Sequence, residues 1–375
     1  MSKIKNFLGN GALVLLSLLF SFLMAEFVVF RFILPASDYP SLDFSGGVVK
    51  YLPNQTGIYR IKNQIAARYR INAAGWNSAH PRYETGPAAG KFRIAVIGDS
   101  YVEALQVNFD ESLAEQLENE LGHERFEVYR FGISGAPLSQ YLYILRNEIA
   151  AYQPDLVVVI LIHNDFEESY CSAQQSVVFA SSFLKLKIAN HAVVAEMLPK
   201  PVPKRWLIAL KEHSATWRYL ALRQQMRFQI LRNLILGQNA EETYQANIAI
   251  SSLSENRIDN ALAANYIFGE MKQWADDRGI KLLLAMDGDR NAIYRNLAQN
   301  GLAETGALSL NSLAQQAAQQ NDIPFIDLHP VFKDDFAQNH RAFNFEADGH
   351  WNVYGHRVAA HAIFQYVREL RSAKP

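Results

Sequence analysis

The sequence predicts an α/β fold: a three-layer α/β/α sandwich around a five-stranded parallel sheet, with a helical insertion and an N-terminal transmembrane helix. From residue 92 onward, strand-like and helix-like segments alternate along the chain. This alternation is typical of a parallel sheet with covering helices. The strand-like segments are continuous apolar runs, as expected where helices cover both faces of the sheet.

The predicted strands and helices follow one another in a regular order. The five strands are expected at residues 94–97, 126–131, 156–162, 281–286 and 324–327. Helical spacing of apolar residues predicts helices at 110–121, 138–152, 257–278, 308–320 and 353–370. The first of these should stop at Gly122, since glycine commonly follows the last turn of a helix.

Length, charge and cysteine content limit the classes of function. With 375 residues the chain can hold one sizeable domain plus additional segments, or two domains. A formal net charge of −1 argues against a nucleic-acid-binding protein, which would normally carry a strong basic excess. Cys171 is the single cysteine, so an intrachain disulfide is excluded, and the Cys and His residues lack the spacing of a metal site.

The N-terminus predicts a membrane anchor over residues 1–35. Residues 11–30 are almost entirely apolar, roughly the length needed to span a bilayer. A cleaved signal peptide is the alternative, but Met24-Ala25-Glu26 does not supply a small-x-small cleavage site. Lys3 and Lys5 precede the apolar stretch and favour a cytoplasmic N-terminus, with the rest of the chain periplasmic or otherwise extracytoplasmic.

Glu26 is an acidic residue within this apolar stretch. An ionisable side chain is costly in lipid and usually has a polar partner. We therefore expect Glu26 to lie near the membrane interface or to face a helix of a partner membrane protein.

Two further segments precede or interrupt the alternating pattern. Residues 36–90 contain four prolines and several glycines, which predicts a linker region with short strands. Residues 166–255, within a main domain at 91–375, predict a helical insertion. Part of this insertion is rich in basic and aromatic residues: Lys204, Arg205, Trp206, Lys211, Trp217, Arg218, Tyr219, Arg223, Arg227, Phe228 and Arg232. Such a segment could lie on an anionic membrane or roof a cleft, or it could be a solvated face over a small helical core.

Polar residues and glycines follow several of the predicted strands. Ser100 follows the first strand, Gly135 the second and Asn164 the third, and the loop with Asp348 and His350 follows the fifth. Ligands of open α/β sheets bind beyond the carboxyl ends of the strands, so these residues are expected to meet there.

Their chemistry suits acyl transfer. A serine hydroxyl needs a neighbouring base, and His350 could serve Ser100 in that role with Asp348 orienting its ring. The N–H groups of Ser100 and Gly135 and the amide of Asn164 could bind an oxyanion. Each residue alone fits a helix cap or an ordinary turn, but the set predicts an active site.

These blocks resemble the SGNH (GDSL-like) hydrolase family. The resemblance rests on Gly98-Asp99-Ser100, Gly135, Asn164 and His350, in that order, and covers about residues 91–370. It implies a flavodoxin-like sheet and esterase, lipase or carbohydrate O-acyl chemistry without a cofactor. It also implies Ser100 as nucleophile, His350 as base, and Ser100, Gly135 and Asn164 as the oxyanion hole.

The sequence departs from the family pattern at two places. Asp348-Gly349-His350 is one residue shorter than the usual Asp-x-x-His, and Trp351 replaces the usual proline. This spacing is similar to the Asp-x-His-Trp motifs of bacterial polysaccharide O-acetylation proteins. Residues i and i+2 of an extended loop point to one side, so Asp348 can still reach the imidazole. His163 stands where the third block usually begins with glycine, and we expect His356 to be structural.

The sequence thus predicts a membrane-anchored serine O-acyl hydrolase or O-acyltransferase acting on an envelope glycan or related acyl ester. One alternative is a catalytically weak scaffold that binds a polysaccharide or a membrane partner. Another is a lipid-directed esterase. The insertion is expected to roof the site, which would favour a bound glycan hydroxyl over water as the second nucleophile.

Overall fold

In the computed structural model, five parallel strands form the central sheet of the protein. They are β1 (Phe92–Gly98), β2 (Phe126–Gly132), β3 (Leu156–Leu161), β4 (Lys281–Met286) and β5 (Phe325–Asp327). Their spatial order is β2-β1-β3-β4-β5. This is the flavodoxin-like order, in which the chain reverses direction across the sheet between β1 and β3. The predicted fold class is confirmed, and the strand ends lie within two residues of those expected.

The structure describes most, but not all, of the chain. The described residues are 2–44, 47–86, 90–171, 182–200, 205–226, 244–245, 248–249, 256–295 and 306–372. Two compact units are distinguished by their internal contacts. The first comprises Met1–Tyr39, Ile58–Ala66 and Lys204–Asn239, and the second comprises Pro40–Gly57, Ala67–Pro203 and Ala240–Pro375. The central sheet lies in the second unit.

Six main helices accompany the sheet. They are α1 (Leu113–Leu121), α2 (Leu138–Asn147), α3 (Arg257–Asp276), α4 (Leu308–Gln320), α5 (Leu328–Asn339) and α6 (Val353–Ser372). Helix α6 packs against α1 and α5, whereas α3 packs against α2 and α4. Ile94 and Val96 of β1 lie in the apolar core shared with α1, α5 and α6. Successive strand residues point to opposite faces of the sheet, so the residues of β1 that alternate with Ile94 and Val96 face the opposite helical layer.

The region before the sheet contains short strands and several buried side chains. Leu42–Asp43 pairs with Lys50–Tyr51, and Gln55–Ile61 pairs with Ile65–Ile71. Trp76 follows the second pair, is fully buried, and packs edge-on against Phe131 with ring centroids 5.4 Å apart. Trp76 therefore contributes to the core of the second unit.

The insertion is only partly helical. Within the second unit, Tyr170–Cys171, Lys185–Ala189 and Ala192–Met197 form a three-stranded sheet. Within the first unit, the chain forms helices at Arg205–His213 and Ala215–Trp217 and a π-helix at Arg218–Arg223. The expectation of a helical insertion is confirmed for residues 205–223 and is wrong for the stranded part.

The first unit begins with a long apolar helix, Ser2–Met24, which continues as a π-helix at Ala25–Ile33. The segment Gly9–Ile33 is long and apolar enough to cross a membrane. The large apolar side chains of its first half are exposed: Leu13, Val14, Leu15, Leu16, Leu18, Leu19, Phe20, Phe22, Leu23 and Met24. Exposure of this kind suits a helix that faces lipid, and it agrees with a single-pass anchor or a signal anchor.

Glu26 has its partners within the same chain. Its carboxylate accepts hydrogen bonds from the Ser214 hydroxyl at 2.9 Å and from the N–H groups of Ala215 at 2.7 Å and Thr216 at 2.9 Å. A carboxylate at the start of a helix satisfies free N–H groups and complements the helix dipole. The free-energy cost of placing the Glu26 carboxylate in an apolar segment is thus offset by hydrogen bonds from residues 214–216 of the insertion. A contact with a partner membrane protein remains a prediction.

Three members of the basic and aromatic cluster also contact the N-terminal segment. Arg218 donates to the Ser37 carbonyl at 3.1 Å and to Asp38 at 3.2 Å, and Tyr219 stacks on Phe30 with centroids 4.2 Å apart. Arg223 donates to the Pro35 carbonyl. The other members of the cluster lie outside the described residues, wholly or in their side chains: Lys204, Arg205, Trp206, Lys211, Arg227, Phe228 and Arg232.

Candidate active site

Ser100 lies directly beyond the carboxyl end of β1. Asp99 caps the short helix Ser100–Glu103 by accepting the Tyr101 N–H at 2.9 Å. The capping role that could have explained Ser100 therefore falls to Asp99. Gly98 allows the close turn between strand and helix, because a Cβ there would lie 2.5 Å from Cγ2 of Val102. The Ser100 hydroxyl is left to face the site.

Ser100, His350 and Asp348 form a continuous hydrogen-bonded series. Nε2 of His350 lies 2.7 Å from Oγ of Ser100, and Nδ1 of His350 lies 2.5 Å from Oδ1 of Asp348. The same Asp348 oxygen accepts the His350 backbone N–H at 2.9 Å. With an ionised Asp348 these contacts assign the proton to Nδ1 and leave Nε2 as acceptor for the serine proton. The three residues predicted as a triad are thus in direct contact.

The pKa values of His350 and Asp348 are set by their burial and by the short contact between them. Burial alone would lower the pKa of His350, but the hydrogen bond and charge of Asp348 outweigh it and hold that pKa above its usual value. Burial opposes ionisation of Asp348, yet its bonds to His350 keep the pKa of this carboxyl below the ordinary range. Asp348 is therefore ionised near neutral pH and stabilises a protonated imidazole.

Asp99 is a second carboxyl group next to the serine. It is buried, and its Oδ2 lies 3.4 Å from Oγ of Ser100. Burial raises the pKa of Asp99 to about 6, although the Tyr101 N–H and the nearby His350 oppose this rise. The charge beside the Ser100 hydroxyl therefore changes within the range where most esterases are assayed.

The candidate oxyanion residues follow the neighbouring strands. Gly135 sits in a four-residue turn after β2, closed by the Ala136 N–H to the Ile133 carbonyl at 3.1 Å, and has φ +73°. A positive φ at the third position of a turn is well tolerated only by glycine and, less readily, asparagine. Asn164 lies in the 3₁₀ turn His163–Asp165 after β3. Burial raises the pKa of the nearby Glu168 carboxyl, and the Asn164 side chain opposes that rise. Both positions lie at the same sheet edge as Ser100, on the two strands adjacent to β1.

A group of residues after β4 supports the histidine loop and was not anticipated from the sequence. Arg290 donates to the Gly349 carbonyl at 2.7 Å and to the Tyr101 hydroxyl at 2.8 Å. Asp287 pairs with Arg290 and accepts the Trp351 indole N–H at 3.0 Å. The end of β4 was the one strand end left out of the sequence argument, so the same reasoning could have found Asp287 and Arg290.

Two other histidines have structural surroundings. Nε2 of His163 lies 2.9 Å from the Asn311 side-chain oxygen, and burial lowers the pKa of this ring. Nδ1 of His356 accepts the Leu113 N–H at 3.2 Å, and burial together with nearby cations lowers its pKa to about 3. Both rings are therefore neutral at physiological pH, and His356 helps join α6 to α1. Within the described ranges, no group of three or more His, Cys, Asp or Glu side chains is arranged to hold a metal ion.

Comparisons with known proteins support the same family resemblance. Residues 251–374 match the family described as "SGNH hydrolase-like domain, acetyltransferase AlgX". This match covers the last third of the chain and includes His350 and Asp348. It confirms the predicted resemblance to SGNH hydrolases at the level of the domain. No protein of curated function matched the chain.

Solved structures with similar folds include several acyl hydrolases. TesA is 14% identical with a TM-score of 0.39, over 74% of this chain and 99% of its own. The acetyl xylan esterase AlAXEase is 12% identical with a TM-score of 0.38, over 74% of this chain and 100% of its own. A lipase/acylhydrolase from Enterococcus faecalis is 13% identical with a TM-score of 0.37, over 74% and 96%. At these low identities and TM-scores, neither the fold nor any residue role is argued from these similarities.

Proposed function

We propose that the protein is a membrane-anchored serine O-acyltransferase or O-acyl hydrolase, with Ser100 as nucleophile, His350 as base and Asp348 as its orienting carboxylate. The observation that carries this proposal is the 2.7 Å contact between Ser100 Oγ and His350 Nε2. The match to an SGNH hydrolase-like acetyltransferase domain supports acyl transfer as the reaction class.

The proposed reaction has two steps that use the same residues. In the first, Oγ of Ser100 attacks the acyl carbonyl while its proton passes to Nε2 of His350. The ester oxygen leaves as an alcohol after taking that proton, and the acyl group remains on Ser100. In the second, water or an acceptor hydroxyl gives its proton to His350 and attacks the acyl-serine. The bond between Oγ and the acyl carbon breaks, His350 returns the proton to Ser100, and the free acid or the new ester leaves.

The negative oxygen formed in each step needs preorganised donors. The Ser100 and Gly135 N–H groups and the Asn164 amide would provide them, since all three follow adjacent strands at one sheet edge. The Asn164 side chain favours ionisation of the nearby Glu168 carboxyl, so an acyl carbonyl would compete with Glu168 for that amide.

The stranded part of the insertion supports the expectation of a covered site. Ser139 donates to the Leu184 carbonyl at 2.6 Å, and the Leu184 N–H donates to the Gln140 side chain at 2.8 Å. Lys185 donates to the backbone carbonyl of Glu168, four residues beyond Asn164. The hairpin Lys185–Met197 is thus fastened beside the third strand end, where it could limit water and hold an acceptor.

We place the substrate among envelope glycans and related acyl esters. The apolar helix would keep the enzyme at the membrane where such glycans are assembled or exported, with residues 1–8 cytoplasmic and the catalytic domain periplasmic. Exposed Lys187 on the hairpin would suit an anionic glycan. A lipid-directed esterase and a catalytically weak scaffold that binds a polysaccharide or a membrane partner are the competing proposals.

The first test is labelling of the full-length protein in detergent with a fluorophosphonate. Wild-type protein should be labelled at Ser100, and Ser100→Ala should lose both label and cleavage of a small activated acetyl ester while remaining folded. Ser372→Ala removes an exposed hydroxyl far along α6 and should behave as wild type. An unlabelled wild-type protein that still binds polysaccharide would favour the scaffold.

The second test separates glycan from small-ester chemistry. Lys187→Glu should reduce acetylation or deacetylation of an anionic glycan several-fold and leave cleavage of the small ester unchanged. Lys333→Glu, an exposed charge reversal on α5, is the matched control. Equal effects of both variants would contradict the role of the hairpin in acceptor binding, and turnover of long-chain lipid esters alone would favour the lipid-directed esterase.

A further inference from the structure

Glu103 is a buried carboxyl residue at the end of the short helix that begins with Ser100. It is 1% exposed and three residues from Ser100. Within the described part of the chain no ion pair to Glu103 is present, so its charge is balanced by hydrogen bonds rather than by a cation. A buried carboxylate of this kind is costly and calls for an explanation.

Both carboxylate oxygens of Glu103 bind Ser134. Oε1 accepts the Ser134 N–H at 3.0 Å, and Oε2 accepts the Ser134 hydroxyl. The Tyr51 hydroxyl donates to Oε1 as well, from a fully buried position in the strand before the sheet domain. Ser134 immediately precedes Gly135, so the hydrogen bonds from Glu103 hold the turn that carries a candidate oxyanion donor.

The backbones of the two segments are also in direct contact. A Cβ at Gly132, the last residue of β2, would lie 2.0 Å from the Glu103 nitrogen. The helix of Ser100 therefore rests on the chain that leads into the Ser134-Gly135 turn. Asn77 and Arg130 both donate to the Glu103 carbonyl, at 2.9 Å and 3.2 Å, and hold the end of that helix in place.

This geometry couples two donors that must act together. An oxyanion hole works only if its N–H groups converge on one oxygen. A small displacement of one N–H group therefore lowers the reaction rate substantially. Because Glu103 accepts both the Ser134 N–H and the Ser134 hydroxyl, it fixes Ser134 and the Ile133–Ser134 peptide, one peptide before the Gly135 N–H. Among the described residues, no hydrogen bond engages the Gly135 N–H itself.

We propose that Glu103 is a positioning residue for the oxyanion hole, joining the Ser100 helix to the Ser134-Gly135 turn with support from Tyr51. This inference rests on the proposed acyl-transfer function. It predicts that loss of the carboxylate weakens binding of the tetrahedral state far more than binding of the ester. A residue that only supported the fold would affect both through the amount of folded protein.

The test uses Glu103→Gln in the full-length protein, with a small activated acetyl ester and a boronic acid. The boron accepts an electron pair from Ser100 Oγ, whose proton passes to His350, and the adduct is a tetrahedral boronate anion with one of its hydroxyl oxygens in the hole. We expect kcat to fall about 10- to 100-fold, within the range for loss of one oxyanion donor or less. Affinity for the boronic acid should fall by a similar factor, while KM for the ester changes less than about twofold.

The matched control is Glu127→Gln, which removes a buried carboxylate of β2. Glu127 pairs with Arg93 at 2.7 Å and contacts none of the candidate site residues. This variant should lower the melting temperature without changing boronic-acid affinity. Tyr51→Phe and Ser134→Ala remove donors to Glu103 and should reduce kcat and boronic-acid affinity in the same direction, so they carry the test if Glu103→Gln does not fold.

The outcomes separate this inference from the proposed function. A wild-type protein that is neither labelled at Ser100 nor active on esters overturns both. An active wild type with an equally active, folded Glu103→Gln overturns the positioning role alone. The same holds if Glu103→Gln and Glu127→Gln lose activity and boronic-acid affinity only in proportion to their loss of folded protein.

Discussion

The guanidinium of Arg290 donates a 2.7 Å hydrogen bond to the Gly349 carbonyl, on the peptide between Asp348 and His350. The Tyr101 hydroxyl donates to the same oxygen at 3.0 Å. The carboxylate and the imidazole of the candidate triad are thus held by a cation that touches neither of them. Asp287 forms an ion pair with Arg290. Through this pair, the loop between α5 and α6 that carries His350 is held against the end of β4.

The first prediction concerns the two properties of Arg290, its shape and its charge. Arg290→Lys should keep the charge but lose one of the two contacts, because an ammonium cannot match the fork of a guanidinium. We expect kcat for a small acetyl ester to fall about 10- to 100-fold through misplacement of His350. The pH at half-maximal activity should stay close to that of the wild type, since a positive charge remains.

Arg290→Gln removes the charge and separates the two effects. The positive charge of Arg290 works against protonation of His350 and lowers its pKa, so its loss should raise the pH at half-maximal activity. Comparing the pH profiles of the two variants measures this difference. Identical profiles for Arg290→Gln and wild type, with equal kcat, would show that Arg290 has no influence on the histidine loop.

The second prediction concerns the pH dependence of the wild type. Only a neutral His350 can accept the Ser100 proton, and Asp348 raises the pKa of His350 above its ordinary value of 6.5 despite burial. The activity limb assigned to His350 should therefore rise with pH and have its midpoint above 6.5. Asp348→Asn should move that midpoint to lower pH and reduce kcat by about 10²- to 10⁴-fold.

Asp327→Asn is the comparison for the third member of the triad. Asp327 accepts the His329 N–H at 2.9 Å and the Asn311 side-chain N–H at 2.8 Å, which caps α5. Its substitution should affect stability more than the pH profile. A damaging Asp327→Asn together with a harmless Asp348→Asn would refute the assignment of Asp348.

The strands and the triad contact could be predicted because their signals are local. Each buried strand is a continuous apolar run, and each candidate residue follows directly after such a run or precedes the last helix. The flavodoxin-like order then brings the ends of β1, β2 and β3 together. The proximity of Ser100 and His350 could therefore be predicted although they are 250 positions apart in the sequence.

The hairpin of the insertion was missed because its turn lacks the usual residues. Asn190 and His191 both have positive φ, at +50° and +58°, between the paired residues Ala189 and Ala192. A two-residue turn of this kind usually carries Asn-Gly, and histidine at the second position gives a weaker signal. Helix α5 was also not predicted, although Leu328, Phe332 and Phe336 recur every four residues and Pro330 lies in its first turn, where proline is tolerated.

The contacts of Glu103 could not be derived from sequence spacing. They join residues from three separate segments, at Tyr51, Glu103 and Ser134. Nothing local distinguishes Glu103 from a solvated helix residue, and its burial depends on how the region before the sheet packs. Tertiary contacts of this sort become visible only in the folded structure.

The third prediction concerns the attachment of the insertion to the apolar helix through Glu26. Glu26→Ala removes the acceptor of the Ser214 hydroxyl and of two helix N–H groups. The segment 214–223 should then open more often, and trypsin should cleave after Arg218 or Arg223 several-fold faster in detergent. Glu84→Ala, which removes an exposed carboxylate elsewhere, is the control. Equal cleavage rates in all three proteins would contradict the attachment.

The last prediction concerns Asp99 and the stability of the fold. Burial raises the pKa of Asp99 from 3.8 to about 6 in the folded protein, so folding favours its neutral form. The resulting contribution to stability is fully present below about pH 4 and is lost as the pH rises through about 6. Asp99→Asn cannot ionise, yet its side-chain oxygen can still accept the Tyr101 N–H. Relative to wild type, this variant should therefore be more stable at pH 8 than at pH 4, by up to about 3 kcal/mol in the free energy of unfolding. Urea unfolding of both proteins at the two pH values measures the difference, and a stability gap that does not change with pH would show that Asp99 has no raised pKa.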